Sequence, residues 1–413
     1  MADSAMTSRQ SALDITRRLQ MAHFEAFWAG GCVRDHLLGV EPKDYDVATS
    51  AKPQEIKALF PRSQTVGAAF GVVIVHHHGQ TTEVATFRTD GTYSDGRRPD
   101  TIQFASAQED ANRRDFTING MFFDPIRAVL VDYVGGQMDV ANRLIRAIGN
   151  PRARFAEDHL RMMRAIRFAS RLNFDIESTT SDAIYNLHEK IKLISRERIG
   201  VELKGILATA HRTRGVSLLF SSGLLADIWP ANLQAGVVNQ WAANNGWLIK
   251  LPPNAAFEIS LAALVHDLSE HEANDQNFWP KLQSHFMLSN DEISSAAWIT
   301  HKMGALPQWT KLSRSELKRL MAHDYFPLLE ELYFYVHDDV PLRHYLTELK
   351  AEGVKPEPFI TGEDLIAMGA QPGPNFKEWL NLLYDQQLAN MFADRRDALV
   401  CARKLVADKF RRQ

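Results

Sequence analysis

Over the first 150 residues, short apolar runs alternate with clusters of Gly, Pro and Asp. Phe27-Trp28-Ala29, Val72 to Val75 and Glu83 to Arg88 have the length and the flanking breakers of strands. A mixed α/β region is expected there. After Asn150-Pro151, apolar residues recur at i, i+3 and i+4 among strong helix formers, so the rest of the chain is expected to be almost wholly α-helical. Leu251-Pro252-Pro253-Asn254 and the stretch from Gly353 to Pro358 interrupt that periodicity and subdivide the helical part. The fold class is α+β, with no internal repeat and no low-complexity tract.

Composition narrows the class. A chain of 413 residues, 45% apolar and 23% charged, has the make-up of a globular protein of roughly two to four domains. Lys+Arg 47 against Asp+Glu 50 gives a net charge of -3, so any polyanion must meet a local basic patch. Cys32 and Cys401 are too few for a disulfide framework or a four-cysteine zinc site. Met1 to Gln10 lacks the apolar core of a signal peptide, and no run approaches about 18 consecutive apolar residues. A cytoplasmic location without membrane attachment is the expectation.

Two segments carry chemistry. Trp28 to Gly39 reads as a strand that stops at Gly30-Gly31 and turns into an amphipathic helix, with Arg34 one turn inside; the glycines let backbone N–H groups approach a phosphate. Such a turn is also common structural punctuation. In Lys43-Asp44-Tyr45-Asp46, strand alternation puts Asp44 and Asp46 on one face, close enough to share a divalent ion. Hard oxygen ligands suit Mg²⁺, and the functional reading is a two-metal phosphoryl-transfer centre; the plain alternative is an Asp-rich turn. Glu83, on another expected strand, is the candidate third acid.

Gly30-Gly31-Cys32-Val33-Arg34-Asp35 followed by Asp44-Tyr45-Asp46 resembles the signature of the bacterial class II tRNA nucleotidyltransferases and poly(A) polymerases, in the polymerase β nucleotidyltransferase superfamily. Arg113-Arg114-Asp115-Phe116-Thr117-Ile118-Asn119-Gly120 is similar to the family's ribose-recognition motif, and Glu157 to Phe168 to its amino-acid template helix. Thr86 to Phe104, containing Arg88, Asp90, Tyr93, Asp95, Arg97 and Arg98, resembles the flexible loop of CCA-adding members, and Ile360 to Leu365 with Gly373-Pro374 is a weaker match near the C-terminus. The resemblance implies a nucleotidyltransferase head over residues 1–150, a helical neck over 151–210, a body over 211–350 and a tRNA-binding tail over 351–413. It further implies that Arg114, Asp115 and Asn119 hold the sugar and triphosphate, that Arg167 contributes to nucleotide binding, and that the partners are tRNA, CTP and ATP, with no obligate protein partner.

The 157–168 segment has a physical reading of its own. At 100° per residue, Glu157, Asp158, Arg161 and Arg164 of an unbroken helix share a sector about 120° wide, opposite Phe155, Met162, Met163 and Ile166. A carboxylate beside a guanidinium offers an acceptor next to a donor. That matches the exocyclic amino group and bare ring nitrogen of cytosine and adenine, and mismatches uracil and guanine. Asp158 and Arg161 can therefore select CTP and ATP without a nucleic-acid template, with Arg164 stacking on or steering the base. Solvated helix ion pairs are the plain alternative.

Other features rank lower. His266-Asp267 looks like the pair of an HD phosphohydrolase, but His285 and His301 cannot be placed as further ligands, and the segment reads as a packed remnant. His76-His77-His78 would alternate faces along a strand ahead of Gly79-Gln80, and reads as a solvated hairpin turn. Arg196, Arg198, Lys204, Arg212 and Arg214 are candidate phosphate contacts along a tRNA arm or exposed helix charge. Of the rival activities, poly(A) addition would profit from a strongly basic tail, which only Lys404 to Arg412 approaches; A-only addition stays open, and a silent RNA-binding protein or an HD-type phosphohydrolase is disfavoured by the intact acid pair and the missing HD ligands.

Overall fold

The computed structural model describes residues 6–65, 71–91, 101–230, 246–269, 272–371 and 373–410. The chain forms two compact units, residues 1–242 with 284–288, and residues 243–283 with 289–413.

The first unit opens with helix α1 (Ser8–Met21), started by a Thr7/Gln10 capping box. Seven strands form one sheet in the order β3-β4-β5-β2-β1-β8-β9. These are β1 (Ala26–Ala29), β2 (Asp46–Thr49), β3 (Ser63–Thr65), β4 (Val72–His77), β5 (Gln80–Thr86), β8 (Phe122–Asp124) and β9 (Val129–Val131). Only β2 and β5 run parallel; the other pairs are antiparallel. The expected strand from Glu83 to Arg88 is split. β5 stops at Thr86, buried Phe87 turns into the core, and Arg88–Asp90 (β6) pairs instead with Ile102–Phe104 (β7).

Phe27, Phe87 and Phe122 meet at centroid distances of 5.7 to 6.2 Å, and Ala107 and Ala111 of α4 (Ala107–Asn112) pack on them. Arg114, described below, lies over the Phe122 ring of this core. A separate edge-on pair, Phe116 against Phe168 at 5.8 Å, joins this part of the chain to the helical part beyond residue 150, to which Phe168 belongs. That part comprises α6 (Pro151–Glu157), α7 (Arg161–Leu172), α8 (Ser178–Leu187), α9 (Arg196–Leu207), α10 (Arg212–Ser221) and α11 (Leu224–Ile228). The exception to all-helical structure is a two-residue strand, Asp175–Ile176, paired in parallel with Leu144–Ile145.

The second unit is helical throughout its described residues. Its breaks fall at the expected prolines: helix Trp247–Lys250 ends before Pro252-Pro253, and helix Val340–Glu352 ends at Gly353 with φ 92°. Residues from 360 onward have a core of their own, built from Ile360, Leu365, Trp379, Leu383, Ala402 and Val406. Among the described residues no helix is long and apolar enough to cross a membrane.

Gly200 shows how tightly the first unit is assembled. A Cβ there would lie 1.9 Å from the carbonyl oxygen of Phe286, with only backbone to yield. Gly200→Ala is expected to lower stability by about 3 kcal/mol or more, the upper end of overpacking costs, read as a lower urea midpoint at unchanged m. Gly304→Ala, where an added Cβ meets nothing within 4 Å, should leave the midpoint within experimental scatter.

Candidate active site

Strand β1 ends at Ala29, and the chain turns through Gly30 (φ 73°, ψ -127°) into α2 (Gly31–Leu37). The positive φ is what favours glycine here; a Cβ would also stand 3.3 Å from Arg114 Nη1, a tight contact that the guanidinium would have to ease by a few tenths of an ångström. Behind the turn, Cys32 is buried and its thiol donates to the Ala29 carbonyl at 3.3 Å. Burial first, together with the nearby Asp46 charge, pushes the Cys32 thiol up to about 11 against the partial opposition of backbone hydrogen bonds.

The acid pair stands on β2 and the residues just before it. Tyr45 points inward and meets Trp28 edge-on at 4.7 Å, so its neighbours Asp44 and Asp46 emerge on the opposite, exposed side, as alternation requires. The Ala29↔Asp46 register sets Asp46 beside the Gly30-Gly31 turn. Val47↔Val84, taken one residue back, aligns Asp46 with Glu83. Although part of Asp46 faces solvent, the atoms packed around its carboxylate remove much of its water; that loss raises it to about 6, the charges of Glu83 and Asp44 add to this, and Arg114 partly offsets it. Glu83 is thus coupled to the pair electrostatically. It does not form a closed three-carboxylate cluster: among the described residues the only trio of His, Cys, Asp or Glu with ligand atoms all within 4.8 Å lies elsewhere.

Next to the glycine turn is a cavity of about 530 Å³. It is lined by Gly30, Gly31, Arg34, Arg113, Arg114, Asp115, Asn119, Asp158, Leu160, Arg161, Arg164, Arg167, Phe168, Arg171 and Arg198. Eight arginines against two aspartates make it an anion site, and the volume lies in the range of nucleotide-sized ligands. One hydrogen-bonded chain crosses it: Arg34 Nη1 donates to Asn119 Oδ1 at 2.7 Å, Asn119 Nδ2 to Asp115 Oδ1 at 3.4 Å, and Arg164 to Asp115 Oδ2 at 2.7 and 2.9 Å. Burial alone would raise the Asp115 carboxyl, but Arg164 and the hydrogen bonds from Phe116 and Asn119 hold it below the ordinary carboxylate range. Arg114 donates to Asp110 Oδ2 at 3.0 and 3.2 Å and lies 5.0 Å over the Phe122 ring.

The template segment is not one helix. α6 ends at Glu157 and Asp158 takes φ -148°, ψ 105°, before α7 starts at Arg161. The reason is local competition: Asp158 Oδ1 accepts the Leu160 N–H at 3.0 Å and the Asp158 carbonyl accepts from Arg161 N at 3.1 Å, an Asx-type turn in place of a helical turn. Both Asp158 and Arg161 still line the cavity. Asp158 Oδ2 accepts from Arg198 at 2.6 Å, and Arg161 Nη1 donates to Glu157 Oε2 at 2.5 Å. Arg167 pairs with Glu202 at 2.5 Å, its stem lying where a Cβ on Gly205 would be.

Several expectations need correction. Arg198 faces the cavity and Asp158, where the sequence suggested a tRNA-arm contact. Arg212 is fully buried, with Nε donating to the Leu207 carbonyl, so its charge is unavailable to RNA phosphates; burial lowers its pKa. His77 and His78 are not on alternate faces, because His78 (φ 47°) is left-handed in the turn and its ring lies 4.3 Å from that of His77. Asp110, which clamps both Arg113 and Arg114, was missed; its position three and four residues before them on a helix was the available signal. Of the loop residues, Arg88 and Asp90 form an ion pair at 3.1 Å that Arg113 joins at 3.4 Å, whereas Tyr93, Asp95, Arg97 and Arg98 lie outside the described residues. In the HD-like segment, Asp267 accepts the N–H groups of Trp247 and Leu248 at 2.8 and 3.0 Å, and His266 stacks on Trp247 at 3.3 Å. The aspartate caps a helix there.

Comparison with known proteins bears on the family and the overall fold. The family model of the poly A polymerase head domain matches residues 26–146, and that of the probable RNA and SrmB-binding site of polymerase A matches residues 173–232. The CCA-adding enzyme of Geobacillus thermodenitrificans is 37% identical over 384 residues, 91% of each chain. That of Levilactobacillus brevis is 33% identical over 408 residues, 95% of this chain and 97% of the relative. Among solved structures, the Bacillus stearothermophilus CCA-adding enzyme in complex with CTP superposes with a TM-score of 0.82 at 29% identity, covering 98% of this chain and 99% of that one.

Two substitutions test the electrostatics. Asp115→Asn removes the closer of the two carboxylates beside Arg164, leaving Glu202 at 3.7 Å in a partly solvated site, and should cost about 1–3 kcal/mol at neutral pH, less than breaking a fully buried pair. Because the folded carboxyl is depressed, this contribution is present above the unfolded value near 4 and disappears as pH falls through the folded one, so urea melts of the two proteins should converge in acid. Asp46 has the opposite sign. Raised to about 6, it opposes folding above that pH and not below about 4, so Asp46→Asn should raise the melting temperature at pH 8 in chelator, with the gain vanishing towards pH 4.

Proposed function

The chain belongs to the family of CCA-adding enzymes, and on that premise we propose that it completes tRNA 3′ ends, adding C, C and A from CTP and ATP without a nucleic-acid template. The observation that carries this reading is a single cavity combining the Gly30-Gly31 turn, the Arg34–Asn119–Asp115–Arg164 chain and the Asp158/Arg161 pair, with Asp46 paired to Ala29 on the strand that leads into that turn. Asp158 is the acceptor for the exocyclic amino group of cytosine or adenine and Arg161 the donor to the ring nitrogen beside it; Arg164 and Arg167 steer and flank the base. The Asx turn supports the role of Asp158, since it aims one carboxylate oxygen at the Leu160 amide and leaves the other turned to the cavity side, on Arg198. Arg114, Asp115 and Asn119 hold the ribose and triphosphate. Gly30, Gly31 and Arg34 line the phosphate side.

Nucleotidyltransferases of this kind work with a divalent metal. The donors here fit one: Asp44 and Asp46 are oxygen ligands on one face, Asp46 is lifted first by loss of solvent and then by the charges of Glu83 and Asp44, and a hard cation would offset both. We assign Mg²⁺ to Asp44 and Asp46, with Glu83 nearby. When bound, such an ion lowers the pKa of an attacking hydroxyl and neutralises charge on the transferring phosphate. The residues around it orient the α-phosphate of the incoming nucleotide for the tRNA 3′-hydroxyl, and pyrophosphate leaves. Residues 151–210 then act as neck, and 211–350 and 351–413 as body and tail that grip tRNA by shape and backbone charge; a cytoplasmic setting suits these substrates.

Incubating the protein with tRNA ending before, and part-way through, CCA and with each labelled nucleotide should give CTP- and ATP-dependent products one to three nucleotides longer and nothing from UTP or GTP. AMP tails on unrelated RNA, or addition of A alone, would overturn the reading. Asp44→Ala should lower transfer by roughly 10³-fold or more, several kcal/mol of lost transition-state stabilisation, with tRNA affinity nearly unchanged in a filter-binding assay. Replacing Asp158 and Arg161 together by Ala should abolish transfer or flatten the preference for CTP and ATP; an intact preference would put base selection elsewhere.

A further inference from the structure

A second cluster of ligating side chains stands apart from the cavity, at the hairpin joining β4 to β5. Asp14 on α1 and His77 and His78 each bring one ligand atom to within 4.8 Å of the others, the only such trio among the described residues. His77 Nε2 is 2.6 Å from Asp14 Oδ2, and the two imidazoles meet edge to face at 4.3 Å.

The backbone is arranged for this meeting. His77 is the last residue of β4, and His78 with Gly79 makes a two-residue turn with φ 47° and 78°, the type I′ pattern of tight hairpins. The first of those positions normally takes Asn, Asp or Gly, because a side chain with a Cβ is disfavoured at positive φ. A histidine there accepts that cost, and the left-handed turn is what swings its ring round to His77. α1 is tied to the same hairpin by Ser8 Oγ with Gln80 Oε1 at 3.0 Å and Ser11 Oγ with the His77 carbonyl at 3.4 Å, which holds Asp14 in reach. His77 is packed at its edge against Phe60, with ring centroids 6.2 Å apart.

We infer that Asp14, His77 and His78 form a binding site for a borderline divalent cation, Zn²⁺ in the first place, that clips the N-terminal helix to the β4–β5 hairpin. Two imidazoles and one carboxylate are a zinc-type donor set that leaves a fourth position for water, whereas Mg²⁺ prefers oxygen ligands. Ligands bound at about 2.0–2.1 Å in a tetrahedron stand about 3.4 Å apart, so modest side-chain rotations convert the observed trio into a coordination shell. Arg18 also reaches Asp14 Oδ2, at 3.0 Å, but its head is half exposed and free to turn outward when a cation takes its place. The site is separate from the Asp44/Asp46 pair in both residues and ligand chemistry.

The test uses the full chain, stripped with chelator and returned to buffer with excess Mg²⁺ so that oxygen sites are saturated. Titration with Zn²⁺, followed by calorimetry and by thermal unfolding, should show one zinc per chain and a higher melting temperature. His78→Gly suits the positive φ and keeps the turn; it should bind zinc at least about tenfold more weakly and lose the zinc-dependent rise, while nucleotide addition with Mg²⁺ stays at the wild-type rate. Asp46→Ala should retain zinc uptake. Absence of stoichiometric uptake by the wild type, or uptake by His78→Gly as tight as the wild type's, would overturn the assignment.

Discussion

Eight guanidinium groups around one cavity repel one another, and the surrounding structure answers that repulsion with acids drawn from several segments. Asp35 neutralises Arg34, Asp110 serves Arg113 and Arg114, Glu157 pairs with Arg161, Asp115 with Arg164, Glu202 with Arg167 and Asp158 with Arg198. Pairs of this kind add little net stability, because desolvation cancels most of the attraction, but losing one partner is costly. What they provide is placement. The cations are aimed by their acid partners in advance, so an anion entering the cavity would meet charges that need little reorganisation.

This placement is anchored in the apolar core. Arg114 lies over Phe122, a member of the aromatic cluster beneath the sheet, and Arg34, Arg164 and Arg167 all stand within 5.6 Å of the centre of the Phe168 ring. Phe168 in turn packs on Phe116. The cavity's arginines thus rest on two aromatic supports within the first unit, Phe122 on the sheet side and Phe168 on the helical side.

What could be read from the sequence was whatever depended on local spacing. The strand–glycine–helix turn at Gly30, the alternation that exposes Asp44 and Asp46 around Tyr45, and the convergence of Asp115, Asn119, Asp158, Arg161 and Arg164 on one site all follow from short-range periodicity or from a motif resemblance. What escaped depended on partners distant in sequence or on competition between side chain and backbone. The helix breaks at Asp158 because its carboxylate captures the Leu160 amide, a contest that a helical wheel does not represent. Arg198 was misplaced because its partner Asp158 lies 40 residues away. The triple histidine was read as alternating because the wheel of a strand assumes that its backbone continues, and His78 leaves it.

Cys32 sits at the foot of the glycine turn, and its thiol is held near 11 by burial. At neutral pH roughly one molecule in ten thousand carries it as thiolate, the form that peroxides and electrophiles attack. Burial and protonation together shield this sulfur from such reagents, so the turn above it gains a small, tightly packed apolar footing without a reactive thiol.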